Sequence, residues 1–409
     1  MQLSVTRQDD DQWIVPTCAP ADLVPAKAGG SRLWQQQGKS SGDFADVTAG
    51  SGPVLAHPRR QQTRRQLAEK LRHTGNGCTI EPMLRLTKQR ITATFTDRVC
   101  FCHAAAAAAA EVSQAAVKLT CKAAPDPGPE RKNGIEAFHN AFHACTLFTA
   151  TGGGQPANSK RFAPLPVGIT HAAYNDLTAA AQITPQTRPA IVEPVQGKGS
   201  ESLVETAFLH GLRELCDRHE ALLMFDKVPG GVGPIGSLYA RKLYGHTPDV
   251  PTTAEAPGGG FPLAAMLTPE ALAAHLNVGS HVTNDGVNAV AGAVGGKVSE
   301  LVNCPEAFSG VSGRHRGFIV ALQVMYPRLH MFSEMGGLGL LIGCVQRQNS
   351  GGKTKLIGHA AAREGLISVM AGADVVHFAL SLIISQRKVQ KGLVCFKRAR
   401  RAVAKGASV

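Results

Sequence analysis

From about residue 95 to residue 290, short apolar runs alternate with longer amphipathic stretches. Ala190-Ile191-Val192 and Leu222-Leu223-Met224-Phe225 are continuous apolar runs bounded by polar or turn residues. Strands buried on both faces of a parallel sheet read this way. Between them, Phe208, Leu209, Leu212, Leu215 and Cys216 recur at the spacing of one helical face. Strand, helix, strand in that order predicts a βαβ unit and an α/β sheet.

The flanking regions carry weaker patterns. Residues 1–60 read as an irregular arm with short strands, one of them at Ser31-Arg32-Leu33-Trp34, and residues 61–72 as a polar helix. Seven consecutive alanines at 104–110 predict the opening of a helix, because alanine is the best helix former. Residues 122–132, with three prolines, predict a surface loop. Residues 300–409 form a second alternating block, in which Gly336-Gly337-Leu338-Gly339-Leu340 predicts a turn feeding a strand.

Composition narrows the class. With 409 residues, 44% hydrophobic and 18% charged, the chain can bury a large core and build two domains. The formal charge of +13 is high, and part of it lies at Lys397-Arg398-Ala399-Arg400-Arg401. No zinc-finger spacing, basic region running into heptads or RNP-type aromatic motif accompanies it, so a nucleic-acid role is not expected. Residues 1–30 hold Asp9, Asp10 and Asp11 and no apolar core, which argues against a signal peptide or membrane segment. Of ten cysteines only Cys100 and Cys102 are closely spaced, so neither a metal site nor a disulfide framework is expected. A reducing, cytoplasmic setting follows as the expectation.

One candidate site residue emerges from the pattern itself. Asp226 ends the apolar run 222–225, and the carboxyl ends of parallel strands are where α/β sheets bind ligands.

Several collinear segments carry a resemblance. Leu222-Leu223-Met224-Phe225-Asp226, Phe142-His143-Ala144-Cys145-Thr146-Leu147, Glu193-Pro194-Val195-Gln196-Gly197-Lys198-Gly199 and Thr252-Thr253-Ala254-Glu255-Ala256-Pro257-Gly258-Gly259-Gly260 together resemble class III pyridoxal-phosphate aminotransferases. Segments such as Gly211-Leu212-Arg213-Glu214-Leu215-Cys216 look particularly like the bacterial succinylornithine and acetylornithine enzymes. The resemblance covers nearly the whole chain. It implies an α/β fold of the pyridoxal-phosphate-dependent type I class, with a mainly parallel sheet in the large domain and a smaller α+β domain. The boundaries it suggests are 1–60 for an N-terminal arm contributing to the small domain, 61–295 for the cofactor domain and 296–409 for the C-terminal small domain. It further implies a homodimer, pyridoxal 5'-phosphate as cofactor, and amino transfer from an N-acylated ornithine to 2-oxoglutarate.

Carried over residue by residue, the same resemblance names a site. Asp226 matches the acid that keeps the pyridine nitrogen protonated, which makes the ring an electron sink. Phe142 matches the aromatic residue stacked on that ring, and Thr283 a substrate-contacting position. Ala105 and Ala106 fall at the phosphate-binding helix start, where free backbone N–H groups bind anions.

Six positions depart from the family's pattern. Glu255 stands at the lysine that forms the Schiff base, and a carboxylate cannot condense with an aldehyde. Cys145 stands at the arginine that grips the substrate carboxylate, without the guanidinium fork. Lys198 replaces a glutamate and His377 the arginine that pairs with it. Pro229 replaces a glutamine donor near the ring oxygen, and Asn284 a threonine reaching the neighbouring subunit's phosphate. Of the nearby amines, Lys227 follows Asp226 on a strand and points to the opposite face, which leaves Lys198 as the better placed. Elements of one catalytic unit fail together, each costing on the order of 10²-fold. The resulting expectation is an aminotransferase impaired in, or without, its covalent chemistry. A non-catalytic homologue retaining fold and dimerisation is the alternative.

Overall fold

The two apolar runs become neighbouring parallel strands. Thr187–Val192 and Leu222–Asp226 pair with Leu222 opposite Pro189 and Phe225 opposite Val192, joined through the helix Thr206–Arg218. The computed structural model describes residues 6–17, 20, 22–45, 57–71, 73–102, 105–123, 132–196, 202–226, 233, 245–254, 256–325, 332–347, 352–371, 374–382 and 384–405. Within these, the two strands are central to a seven-stranded sheet. Its order is Arg98–Cys102, Ala264–Thr268, Val250–Ala254, Leu222–Asp226, Thr187–Val192, Gly134–Phe138, Ile169–Ala172. Ala264–Thr268 runs antiparallel to both of its neighbours, and the other pairings are parallel.

Alternation along Leu222–Asp226 explains why its run is continuously apolar. Met224 joins the core under the helix Ala105–Ala123, with Val112, Ala115, Ala116 and Leu119. Leu223 and Phe225 point the other way, into the core under Thr206–Arg218 with Phe208, Leu209, Leu212 and Cys216. Each fully buried large side chain contributes roughly 1.5–3 kcal/mol. Burial pushes the Cys216 thiol up to about 12, so this cysteine packs as a small hydrophobe.

A second, antiparallel sheet is ordered Phe332–Leu338, Leu341–Gln346, Val375–Ala379, Val369–Ala371. The helices Pro305–Met325, Thr354–Arg363 and Gln386–Ala404 supply the rest of its core. The N-terminal segment is built into it. Ser40–Asp43 pairs in parallel with Leu366–Ile367, the Ala379 N–H donates to the Phe44 carbonyl at 2.8 Å, and the Phe44 ring meets Phe318 and Phe378. Gly392 lets the C-terminal helix approach that ring, because a Cβ there would collide with it. We propose that the arm 1–60 and residues 296–409 form one small domain on this basis, beside the cofactor domain 61–295. The helix Ala289–Val302 runs across the 295/296 boundary, and its Val298 and Val302 enter the small-domain core.

Three local expectations change. The turn foreseen over 336–340 narrows to Gly339-Leu340, because residues 336–338 belong to the strand Phe332–Leu338 and pair with Leu341–Gln346; Gly339, at φ 62°, makes the reversal. The arm contains a helix, Arg7–Trp13, begun by a Thr6–Asp9 capping box. The foreseen loop 122–132 is structured at both ends. Lys122 lies in the helix Ala105–Ala123, and Lys132 is buried, donating to the carbonyls of His219 (2.7 Å) and Glu220 (2.9 Å). A lysine there satisfies carbonyls just past a helix C-terminus. Residues 124–131 lie outside the described residues.

Candidate active site

Asp226 is 2% exposed at the carboxyl end of its strand. Among the described residues, Ser113, His143 and Thr252, from separate parts of the chain, donate to it. Ser113 Oγ, from the helix Ala105–Ala123, reaches Oδ2 at 3.2 Å. His143 Nδ1 donates to the same oxygen at 2.8 Å. Thr252 Oγ1, opposite Asp226 in the parallel register, reaches Oδ1 at 3.1 Å. Together these bonds fix the orientation of the carboxylate. Burial alone would lower the His143 pKa, but the hydrogen bond and charge of Asp226, with the charge of Glu193, outweigh it and raise it above 6.5.

The turn carrying His143 is tied down from the neighbouring strand's extension. The Phe142 N–H donates to Glu193 Oε2 at 2.9 Å. Gln196 Nε2 donates to the His139 carbonyl at 3.0 Å, and Tyr174 donates its hydroxyl to the Glu193 carbonyl at 2.7 Å. Phe142 is half-buried, and Cys145 is exposed just before the N-cap Thr146 of the helix Leu147–Gly152. Ala144, between them, is held at φ 84°, where the resembled motif has glycine. A Cβ in this region costs about 1–2 kcal/mol. Ala144→Gly is therefore expected to raise the unfolding free energy by about 1 kcal/mol, read from the denaturant midpoint at unchanged slope. An unchanged midpoint would show that the turn is not strained.

Two pairs of segments far apart in sequence come together. Val195 packs with Leu341 and Ala379, which brings the 193–196 segment against the strand Val375–Ala379 that carries His377. His377 is buried there, paired with Gly343 and Val369. The segment 73–77 meets 281–286: Asn76 Nδ2 donates to the Thr283 carbonyl at 2.9 Å, and His73 Nδ1 lies 3.3 Å from Asp285 Oδ1. Thr283 is half-buried and Asn284 exposed. The same loop approaches the sheet edge at Cys102, whose Sγ lies 4.0 Å from His281 Nε2. Ala105 opens its helix as expected and Ala106 follows it. Glu255, Lys198, Lys227 and Pro229 lie outside the described residues. The strand Val250–Ala254, buried throughout, ends at the residue before Glu255.

Ser113, Thr252 and His143 were not assigned roles from sequence. The Ser113 signal was there: a polar residue on a helix face otherwise made of Val112, Ala116 and Leu119. Thr252 has no such signal, since only strand register places it opposite Asp226.

Comparison with known proteins decides the family. The family profile described as Aminotransferase class-III matches residues 16–399. The chain belongs to the class-III aminotransferase family. A succinylornithine transaminase of Citrobacter koseri is 50% identical over 409 residues, covering all of both chains. One from Salmonella paratyphi A is 51% identical over 394 residues, 96% of each. Among solved structures, an N-acetylornithine aminotransferase from Stenotrophomonas maltophilia superposes with a TM-score of 0.82 at 27% identity, over 98% of this chain and 99% of that one. An ornithine aminotransferase from Toxoplasma gondii reaches a TM-score of 0.90 over 98% and 95%, and at 21% identity it speaks for the fold. The architecture is that of the pyridoxal-phosphate-dependent aminotransferases of fold type I. Among the described residues no helix is long and apolar enough to cross a membrane, and no group of three or more His, Cys, Asp or Glu could hold a metal ion.

Proposed function

We propose that this chain carries an N-acylornithine aminotransferase site that keeps the ring-holding half of its cofactor machinery and lacks the covalent half. The buried Asp226, with its donors Ser113, His143 and Thr252, carries the reading. A fixed anion in a water-excluded pocket suits the protonated pyridine nitrogen of pyridoxal 5'-phosphate, and Phe142 stands nearby on a backbone anchored by Glu193. Bound there, the cofactor supplies an electron sink for bonds at an amino carbon. Attachment of the cofactor requires an amine, and Glu255 supplies a carboxylate.

The relatives' names favour succinylornithine or acetylornithine as donor, and 2-oxoglutarate is the acceptor that the family resemblance implies. Cys145 and the Lys198–His377 combination fit such carboxylated substrates poorly, because a thiol has no fork for a carboxylate and the glutamate–arginine attraction is gone. The reading is thus an aminotransferase scaffold with impaired turnover, acting as a cytoplasmic homodimer. Incubation with the cofactor, borohydride reduction and peptide mass spectrometry are expected to show no pyridoxyl adduct on any lysine. Glutamate formation from N-succinylornithine and 2-oxoglutarate is expected to stay at background. A yellow protein that bleaches with the amino donor, or an adduct on Lys198, overturns the reading.

A further inference from the structure

The C-terminal helix Gln386–Ala404 turns Val389, Leu393, Phe396, Ala399 and Val403 into the small-domain core. It carries seven Lys or Arg and no Asp or Glu, whereas a solvated helix face ordinarily mixes the two signs in i,i+4 pairs. Two of the cations, Arg387 and Lys388, stand in the first turn, where the helix dipole disfavours positive charge. Arg387, Lys391 and Arg398 are exposed, and their spacing of i, i+4 and i+11 sets them in one row along the helix.

That row lines a groove of 510 Å³ between the helix and the N-terminal strands. Arg32, on the strand Arg32–Gln35, lines the opposite wall. Lys388 reaches across, with its Nζ 3.4 Å from where a Cβ at Gly30 would stand. Five cations thus face one groove. Glu364 is the one acidic residue of the lining among those described, and it lies 3.8 Å from Arg398. A long, exposed pair of that kind has little strength, and the Arg398 side chain is 66% exposed. Arg32, Arg387, Lys388 and Lys391 have no ion-pair partner among the described residues. Like charges gathered in this way repel one another, and an anion in the groove relieves the repulsion.

We propose that this groove binds a linear phosphate chain, of which inorganic polyphosphate is the simplest form. An arginine fork takes two phosphate oxygens at once, and a lysine adds a point charge. From Arg387 to Arg398 the row runs about 16 Å at the helical rise, a length for several successive phosphates. Nothing in the lining suits a nucleobase: Phe44, its one aromatic residue among those described, is 1% exposed, and single-stranded nucleic acid sites rely on open rings for stacking. The groove shares no residue with the Asp226 cluster, so it stands or falls independently of the proposed activity.

The test titrates the full-length protein with inorganic monophosphate, with polyphosphates of increasing length and with a single-stranded RNA of matched charge, at several salt concentrations. Affinity is expected to rise with polyphosphate length until the groove is filled. Its logarithm should fall linearly with the logarithm of salt, because a charged chain releases condensed counterions on binding. A triple variant, Arg387→Gln with Lys391→Gln and Arg398→Gln, is expected to bind polyphosphate about tenfold more weakly at low ionic strength, with a shallower salt slope. Its three sites are exposed and it relieves like-charge repulsion, so its thermal midpoint without polyphosphate should match or exceed the parent's. A control, Arg59→Gln with Arg64→Gln and Arg65→Gln, removes three exposed charges from the helix Pro58–Ala68 and is expected to leave binding unchanged. Equal losses in the two triple variants overturn the proposal, since net charge and not the groove would then hold the chain. Affinity independent of chain length overturns it too. So does RNA binding as tightly as polyphosphate, because the partner would then be a nucleic acid.

Discussion

Glu255→Lys is expected to restore a covalent cofactor adduct without restoring turnover. The substitution returns an amine to the residue after the buried strand Val250–Ala254, whose Thr252 is already bonded to Asp226. With the cofactor added, the variant is expected to turn yellow and to yield a pyridoxyl peptide at position 255 after borohydride reduction. Glutamate formation should remain slow, because holding a substrate carboxylate in place is a separate task. Under the proposed function, Cys145, exposed beside the N-cap Thr146, stands where that reading calls for a bidentate donor and offers a thiol. Adding Cys145→Arg is therefore expected to raise turnover by about 10²-fold over Glu255→Lys alone, with most of the gain in kcat/KM. If Glu255→Lys alone reaches the rate of the double variant, Cys145 does not limit substrate binding. If the single variant forms no adduct, the ring-holding half of the site has failed as well.

Asp226→Ala is expected to have the largest effect on stability. It strips the charge partner from a fully buried histidine and the acceptor from Ser113 and Thr252 in one step. Breaking a buried pair by removing one partner costs about 3–5 kcal/mol, to be read as a loss in unfolding free energy by denaturant titration. The loss should depend on pH. The His143 pKa is raised above 6.5 in the folded protein. The stabilisation from the pair is therefore present in full below pH 6.5 and is lost as the pH rises through the raised folded value. The difference in stability between the parent protein and His143→Phe is expected to be larger at pH 6 than at pH 9. A difference that grows with pH would mean that His143 is neutral in the fold.

How much of this was legible in the chain depends on the distance over which each feature is specified. The run 222–225 and the periodic helix between residues 206 and 218 were readable because strand and helix periods are written in adjacent residues. The place of Asp226 at the carboxyl end of its strand was readable from the same run. The hairpin around Gly339 was misjudged in extent, since a glycine-rich stretch suits a turn and a closely paired strand alike. Contact between residues 195 and 379, or between 76 and 283, rests on packing across nearly two hundred residues or more, for which a single sequence holds no local signal.

The sequence by itself determined the family and the chemistry its side chains can perform. Collinear motifs survive wherever they lie, and an amine, a guanidinium or a carboxylate is a property of one residue. Glu255 and Cys145 are read correctly as a carboxylate and a thiol without coordinates. Only the tertiary structure decided who stands beside whom. It set Ser113 and Thr252 on Asp226, held Ala144 in a left-handed turn, and left the charge of Arg90 inside the protein without a partner among the described residues. The reason is physical: the energy of a buried polar group depends on the few ångströms around it, and folding, not chain order, chooses what fills them.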